Sequence, residues 1–429
     1  MPNHYEKSEY LLERALKTIP LGTQTFSKSK TQFPFGVSPY FIDRAQGCHV
    51  WDVDGNQYID LINSLAAITL GYNDPDVTAA VQSQLQQGTI FSLPHPLEIF
   101  VAEKLVEVVP CAEMVRFGKN GSDATSGAIR VARAYTRRDH IAVCGYHGWH
   151  DWYIGSTTRD MGVPAATKAL THKFTYNDIE SLHQLFREYP DQIAAVILEP
   201  MNVVLPEDDF LAQVKELAHQ QGSLLVFDET ITGFRYAIGG AQEYFGVTPD
   251  LATFGKGLAN GYPVSALTGR SEVMRMVEEI FFSFTFGGET LSLAAALATI
   301  NKLQREPVIQ TMTASGEAIL SRVQALIDQH DLGHIFSLSG HPTWSFLLMQ
   351  DAASYSQWEI KTLFLQEMFA RGILTFGTHN LSYAHRPADL DRLFAVYDEV
   401  LPLIGEVVDN QQLEAYLRCE SLQPLFKVR

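Results

Sequence analysis

The chain has 429 residues, 46% of them hydrophobic, with a mean hydropathy of −0.04 and a formal net charge of −17, which argues against nucleic acid or anionic membrane surfaces as main partners. That length suits one large domain with a smaller companion rather than a single small core. Four scattered cysteines (Cys48, Cys111, Cys144, Cys419) without metal or disulfide spacing, a polar N-terminus and apolar runs too short for a bilayer (the longest near Leu291–Ile300) set the expectation of a cytoplasmic globular protein.

Residues 5–19 place Tyr10, Leu11, Ala15, Leu16 and Ile19 at helical spacing, and a polar loop follows through Thr31. Short extended pieces at Pro39–Arg44, Cys48–Asp52 and Tyr58–Leu61, the last after the turn Asp54-Gly55, read as a small antiparallel unit. From Leu70 onward the pattern alternates. Helices are expected at Asp76–Gln87, Pro96–Val109, Asp178–Glu188 and Phe210–Gln221, and after Ser122, where Ala124, Ala128, Val131, Ala132 and Tyr135 share one face. Near-continuous apolar runs at Ile141–Gly145, Ala194–Glu199, Leu224–Asp228, Leu251–Phe254 and Val264–Gly269, with the short strand Val115–Phe117, are the pattern of parallel strands buried on both faces, hence an α/β sheet. Helices at Leu291–Arg305 and Val308–Leu326 lead into a stretch mixing strands (Trp344–Met349, Ile373–Phe376) with helices (Gln357–Phe369, Pro387–Ile404). The expected division is an N-terminal segment 1–65, a large domain 66–315 and a smaller α+β domain 316–429.

The chemistry-bearing positions fall where strands end, the natural crevice of an open α/β sheet. Lys256 stands between Gly255 and Gly257 directly after an apolar run; it reads either as a Schiff-base lysine approached closely over its glycines or as an exposed loop lysine. Gly121-Ser122-Asp123 opens a helix, as an anion site or as an ordinary cap. The aromatic cluster Gly145-Tyr146-His147-Gly148-Trp149-His150-Asp151-Trp152 offers Tyr146 or His147 as a stacking surface, against simple loop packing, while a metal set of Cys144, His147, His150 and Asp151 matches no common spacing. Asp228 closes a Leu/Val/Phe run and needs a partner: a pyridine nitrogen, or a structural pair with Arg235. Glu199 ends the preceding strand in the same manner, and the loop Phe284–Thr290 could place a hydroxyl on a phosphate. No dinucleotide fingerprint, P-loop, HExxH or GxSxG pattern competes. A phosphate nest, an aromatic stacker, a strand-end Asp and a Gly-flanked Lys, in that order, make a coherent pyridoxal phosphate site.

In Gly47–Asp60, Gly121–Arg137, Tyr146-His147-Gly148, Glu199-Pro200, Asp228–Arg235, Lys256 and Thr290, the sequence resembles class III aminotransferases, with the glutamate-1-semialdehyde aminomutase-like branch nearest. The resemblance spans nearly the whole chain. It implies a fold-type-I transferase in which Lys256 carries the Schiff base to pyridoxal phosphate and acts as the catalytic base. It also implies that Asp228 meets the ring nitrogen and that Gly121, Ser122 and Asp123 attend the phosphate. Tyr146 and His147 on one side of the ring, and Thr230 on the other, would flank it. Glu199 and Asn202 would lie towards the substrate, and Thr290 would reach the phosphate of a neighbouring subunit, so a homodimer is implied as well. Two departures count against the aminomutase substrate. Thr25-Phe26-Ser27-Lys28-Ser29-Lys30 stands where that branch has an Arg for the substrate carboxylate, and a lysine is a point charge rather than a fork. The segment Gly377–His385 also lacks the branch's substrate-side Glu. The expected reaction is therefore intermolecular amino transfer between a primary amine and a carbonyl compound. Intramolecular aminomutase chemistry, or cofactor binding without catalysis, are the alternatives. Lys28 and Trp149 are the expected substrate contacts beside Asn202, and no metal is expected.

Overall fold

The computed structural model describes residues 3–423. In chain order its strands are β1 (Ile42–Gln46), β2 (His49–Asp52), β3 (Gln57–Asp60), β4 (Met114–Gly118), β5 (His140–Cys144), β6 (Thr171–Lys173), β7 (Ile193–Leu198), β8 (Leu224–Asp228), β9 (Leu251–Phe254), β10 (Ser265–Gly269), β11 (Phe336–His341), β12 (Trp344–Met349), β13 (Ile373–Leu374) and β14 (Thr378–Asn380). The chain divides into two compact units, one running to Asp74 and resuming at Gln310, the other Pro75–Ile309. The sequence pattern drew its divisions at 65/66 and 315/316. Among the described residues no helix is long and apolar enough to cross a membrane.

In the first unit the helix Glu6–Leu16 buries Ser8, Leu12 and Ala15, the i, i+4, i+7 stripe of an amphipathic helix. β1, β2 and β3 form an antiparallel meander, and β13 joins it in parallel, Ile373 opposite Ile59 and Leu374 opposite Asp60. That pairing ties the N-terminal strands to the C-terminal part of the chain. A second sheet, β11-β12-β14, is antiparallel. Within it His379 of β14 is fully buried, with Nδ1 2.9 Å from Ser345 Oγ and Nε2 2.7 Å from Tyr397 Oη.

Burial pushes the His379 imidazole down to about 4, so it is neutral in the fold, whereas in the unfolded chain it titrates near 6.5. The unfolded state takes up the proton first, so the stability held by the neutral ring is complete above about pH 6.5 and drains away as pH falls towards about 4. At 1.36 kcal/mol per unit this amounts to about 3 kcal/mol. His379→Gln keeps a donor and an acceptor without the titration. Its Tm should fall less steeply between pH 7 and pH 4.5 than that of the wild type; equal slopes would remove His379 as the cause.

The second unit is a seven-stranded sheet in the order β4-β10-β9-β8-β7-β5-β6. β9, β8, β7, β5 and β6 run parallel, and all six residues of β7 are buried. Alternation along the strands feeds two cores. Ile141, Val143, Ile197 and Val226 face the helix Gly121–Thr136, with its Ala128, Val131 and Ala132; Ala142, Val196, Leu198, Leu225 and Phe227 face Leu182, Phe210, Val214 and Leu217 of the helices Ile179–Glu188 and Phe210–Gln220. Both faces are covered, which is why these strands read as unbroken apolar runs. One strand corrects the sequence reading: β10 is antiparallel to both of its neighbours, β4 and β9, although it too is buried throughout. A run buried on both faces carries no signal of direction. Since β4 and β9 each oppose β10, they share one direction, and the carboxyl ends of β4, β5, β7, β8 and β9 lie along a single edge of the sheet.

Candidate active site

That edge collects the strand-end residues of the second unit. Asp228, last in β8, is the centre of the hydrogen bonding. Its Oδ1 accepts from Thr230 Oγ1 (2.6 Å), Thr230 N (3.1 Å) and Thr253 Oγ1 (3.2 Å), and its Oδ2 lies 2.9 Å from His147 Nδ1. Burial by itself would raise this carboxyl, but the hydrogen bond and charge of His147 and the bonds from Thr230 outweigh it and hold Asp228 below the ordinary carboxylate range. It is an ionised acid inside the protein, with one oxygen carrying three donors and the other keeping room for a further one. The ion pair here is with His147, where the sequence had offered Arg235 as the structural partner.

His147 is buried, and both of its ring nitrogens face oxygens, Nδ1 that of Asp228 and Nε2 the Cys144 carbonyl at 3.1 Å. Trp152 lies nearly parallel to its ring at 6.4 Å. The imidazole therefore braces Asp228, which corrects its reading as a stacking surface. Tyr146 is the exposed aromatic of the pair, 37% accessible and set edge-on to Tyr153. Elsewhere in this loop His150 Nδ1 is 2.6 Å from Ser126 Oγ.

Glu199 follows β7 and is buried. Its Oε2 accepts from Tyr146 N (2.9 Å) and Asn202 Nδ2 (2.8 Å), and so joins the loop after β5 to the loop after β7. Gly145, at φ +103°, is needed for this approach, because a Cβ there would stand 2.6 Å from Glu199 Oε2. Gly148, at φ +104°, does the same at the other end of the loop, where a Cβ would overlap Ser122 Oγ; that hydroxyl accepts from Trp149 N at 3.3 Å. Trp149 itself is 67% exposed.

The helix Gly121–Thr136 begins against this loop. Asp123 Oδ2 accepts from Asn120 N (2.7 Å) and Lys119 N (3.1 Å). This corrects one expectation: Asp123 caps its own helix, and a carboxylate would repel a phosphate. The first-turn N–H groups of Gly121 and Ser122 are those a helix leaves without intrahelical acceptors. Gly121 also packs against Thr230, whose Oγ1 would be 3.3 Å from a Cβ at that position, and a Cβ on Gly255 would lie 3.5 Å from Thr230 Cγ2. Thr230, the helix start and the turn after β9 thus form one cradle. Lys256 comes next. It is half-buried and opens a 3-10 turn, Lys256–Ala259, at φ +42°. A lysine held in left-handed backbone is strained, and strain kept at a strand end is a mark of a functional position. The exposed-loop alternative does not describe it.

Two further candidates fall elsewhere. Thr290 is fully buried, donates from Oγ1 to the carbonyls of Gly88 (2.9 Å) and Thr89 (3.2 Å), and is enclosed by its own chain. Within one chain that hydroxyl is therefore engaged, whereas Ser283 and Thr285, just before it, are exposed. Lys28 belongs to the first unit, where it lines a cavity of about 360 Å3 whose walls include Leu12, Leu21, Phe33, Tyr40 and Phe376. Thr253 escaped the sequence reading. It lies opposite Asp228 across the β8–β9 pair, and that register is written in no single stretch of chain.

A family model described as aminotransferase class-III matches residues 33–381. The 3-aminobutyryl-CoA aminotransferase of Cloacimonas acidaminovorans is 34% identical over 91% of this chain and 95% of its own length. The glutamate-1-semialdehyde 2,1-aminomutase 2 of Lachnoclostridium phytofermentans is 36% identical over 90% and 94%. Among solved structures, the FumI protein of Sphingopyxis sp. MTA144, determined with PLP, superposes with a TM-score of 0.88 at 29% identity, covering 96% of this chain and all of its own (100%). An omega-transaminase from Sphaerobacter thermophilus gives 0.84 at 27% identity, over 94% and 99%.

Proposed function

The chain belongs to the class III aminotransferases, pyridoxal phosphate-dependent enzymes, and from that premise we propose that it moves an amino group between a separate amine donor and a carbonyl acceptor. The observation that carries this reading is the ionised, buried Asp228 on the same sheet edge as the strained Lys256. The residues of this edge fit the cofactor. The N–H groups of Gly121 and Ser122 and the Ser122 hydroxyl are donors for its phosphate. Gly121 and Gly255 leave open the space beside Thr230 that a Cβ would narrow, and Oδ2 of Asp228 has acceptor capacity for a protonated ring nitrogen. Tyr146, in the loop after β5, is an exposed aromatic ring, and Glu199 and Asn202, in the loop after β7, are joined to that loop. Bound there, pyridoxal phosphate supplies an electron sink for the carbon that bears the substrate nitrogen.

The chain's own work is then threefold. Asp228, ionised because His147 and Thr230 stabilise its charge, fixes the charge state of the ring nitrogen. Lys256 brings an amine that takes the proton from the substrate carbon and later returns it. Glu199 joins the loops after β5 and β7 and so fixes where Tyr146 and Asn202 stand.

Amino transfer between two compounds is preferred to isomerisation of one because the segment Thr25–Lys30 carries no Arg where the aminomutase branch holds its substrate carboxylate. Several large apolar side chains left exposed, among them Leu93, Ile99, Phe100, Phe281 and Phe286, support a homodimer. The test is turnover with substrates supplied singly and in pairs. An aminotransferase gives at most one turnover per site with the amine alone and sustained turnover only when a carbonyl acceptor is added. Sustained conversion of one amino-carbonyl compound to its isomer would transfer the assignment to the aminomutase reaction. Sedimentation of the same preparation tests the dimer.

A further inference from the structure

The geometry points to a divalent-metal site in the first unit, formed by Cys48, His49 and Asp389, that takes a borderline-soft cation such as Zn2+. One ligand atom from each residue lies within 4.8 Å of the other two. His49 Nε2 is 3.2 Å from Asp389 Oδ1, and the other ring nitrogen, Nδ1, is 3.7 Å from Cys48 Sγ; one of the two would ligate the ion. Around a tetrahedral ion with bonds of about 2.0–2.3 Å, ligand atoms stand roughly 3.3–3.8 Å apart, so side-chain adjustments of about 1–1.5 Å close the cluster. A thiolate, an imidazole and a carboxylate form a donor set that favours Zn2+ over Mg2+ or Ca2+. None of the three has a part in the amino-transfer chemistry, so the inference stands independently of that reading.

The surroundings are those of a supported site. His49 begins β2 and is held between strands, opposite Gln46 of β1 and Ile59 of β3. The second carboxylate oxygen of Asp389 accepts from Arg386 N at 2.9 Å, at the start of the helix Pro387–Asp409, and this fixes the plane of the ligand as an outer-shell bond does. Cys48 is buried and His49 half-buried, which leaves a solvent path for an ion and a water in the open position. Bound, the ion joins β2, near the beginning of the chain, to a helix near its end. The thiol proton is released to solvent as the sulfur–metal bond forms.

The test uses the full-length holoenzyme freed of metal by chelation, with Co2+ as optical probe and Zn2+ as competitor. Visible ligand-field bands of tetrahedral Co2+ should grow to one ion per chain, with sulfur in the coordination shell by X-ray absorption, and Zn2+ should bleach them. Zn2+ should also raise Tm by a few degrees, roughly what about 1–2 kcal/mol of ligand linkage gives. Cys48→Ser should lose the sulfur signature and weaken binding at least about 100-fold, and Asp389→Asn, which retains the helix cap, should weaken it at least about tenfold. Absence of tetrahedral bands in the wild type overturns the proposal. So does unchanged affinity in Cys48→Ser or, if that variant does not fold, in Asp389→Asn.

Discussion

Replacing Lys256 by alanine should lower kcat by at least about 10^4-fold while the fold survives, because the side chain supplies the amine that moves the proton. The residue is half-buried, follows β9 directly, and is flanked by Gly255, which packs beside Thr230. Its backbone is the sharper indicator. At φ +42° a lysine costs about 1 kcal/mol or more that a glycine would not. Lys256→Gly should therefore be as inactive as the alanine variant and yet melt at the same temperature as the wild type or slightly higher, a separation of stability from activity expected of a position kept for chemistry. Steady-state rates and Tm of both variants check this. Turnover within about tenfold of the wild type would give the amine a structural role and overturn the assignment.

Asp228→Asn should lower kcat by about 10^2–10^4-fold, with a smaller effect on protein stability. The substitution is nearly isosteric, so the cradle of Thr230, Thr253 and His147 keeps its shape, but the charge is lost. In the wild type that charge is held against full burial by His147 and Thr230. An amide has one acceptor oxygen where the carboxylate has two, so the hydrogen bonds made with His147 Nδ1 and with the hydroxyls of Thr230 and Thr253 must rearrange around it. Asp228→Glu keeps the charge and lengthens the side chain, and should fall between the wild type and Asn. Because the acid is shifted below its ordinary range, it remains ionised through the working pH range, and no acid limb of the activity profile near pH 5 should belong to it. A near-wild-type kcat in Asp228→Asn would mean that the carboxylate serves only to position His147.

The local elements and most of the chemistry can be read from residue type and periodicity along the chain. Strands β5, β7, β8 and β9 could be located because burial on both faces leaves unbroken apolar runs, and the helix Gly121–Thr136 because its apolar stripe has a 3.6-residue period. Lys256, Asp228, Gly121 and Ser122 stood out because a charge or a glycine at the end of such a run is out of place there. What escaped depends on contacts between distant segments. The edge strand β6, Thr171–Lys173, is too short and polar to carry a pattern, and the direction of β10 is decided by its neighbours. His147 read as an aromatic face, and only its approach to Asp228, 81 residues on, made it a brace. Thr290 offered a hydroxyl on paper; the carbonyls of Gly88 and Thr89, some 200 residues earlier (separations of 202 and 201), took it. Cys48, His49 and Asp389 have no meaningful spacing until β13 pairs with β3 and brings the C-terminal part of the chain to the N-terminal strands. Periodicity and residue type are properties of a segment, and they specify what a side chain can do. Its partner is chosen by register and packing, which exist only once the chain has closed on itself.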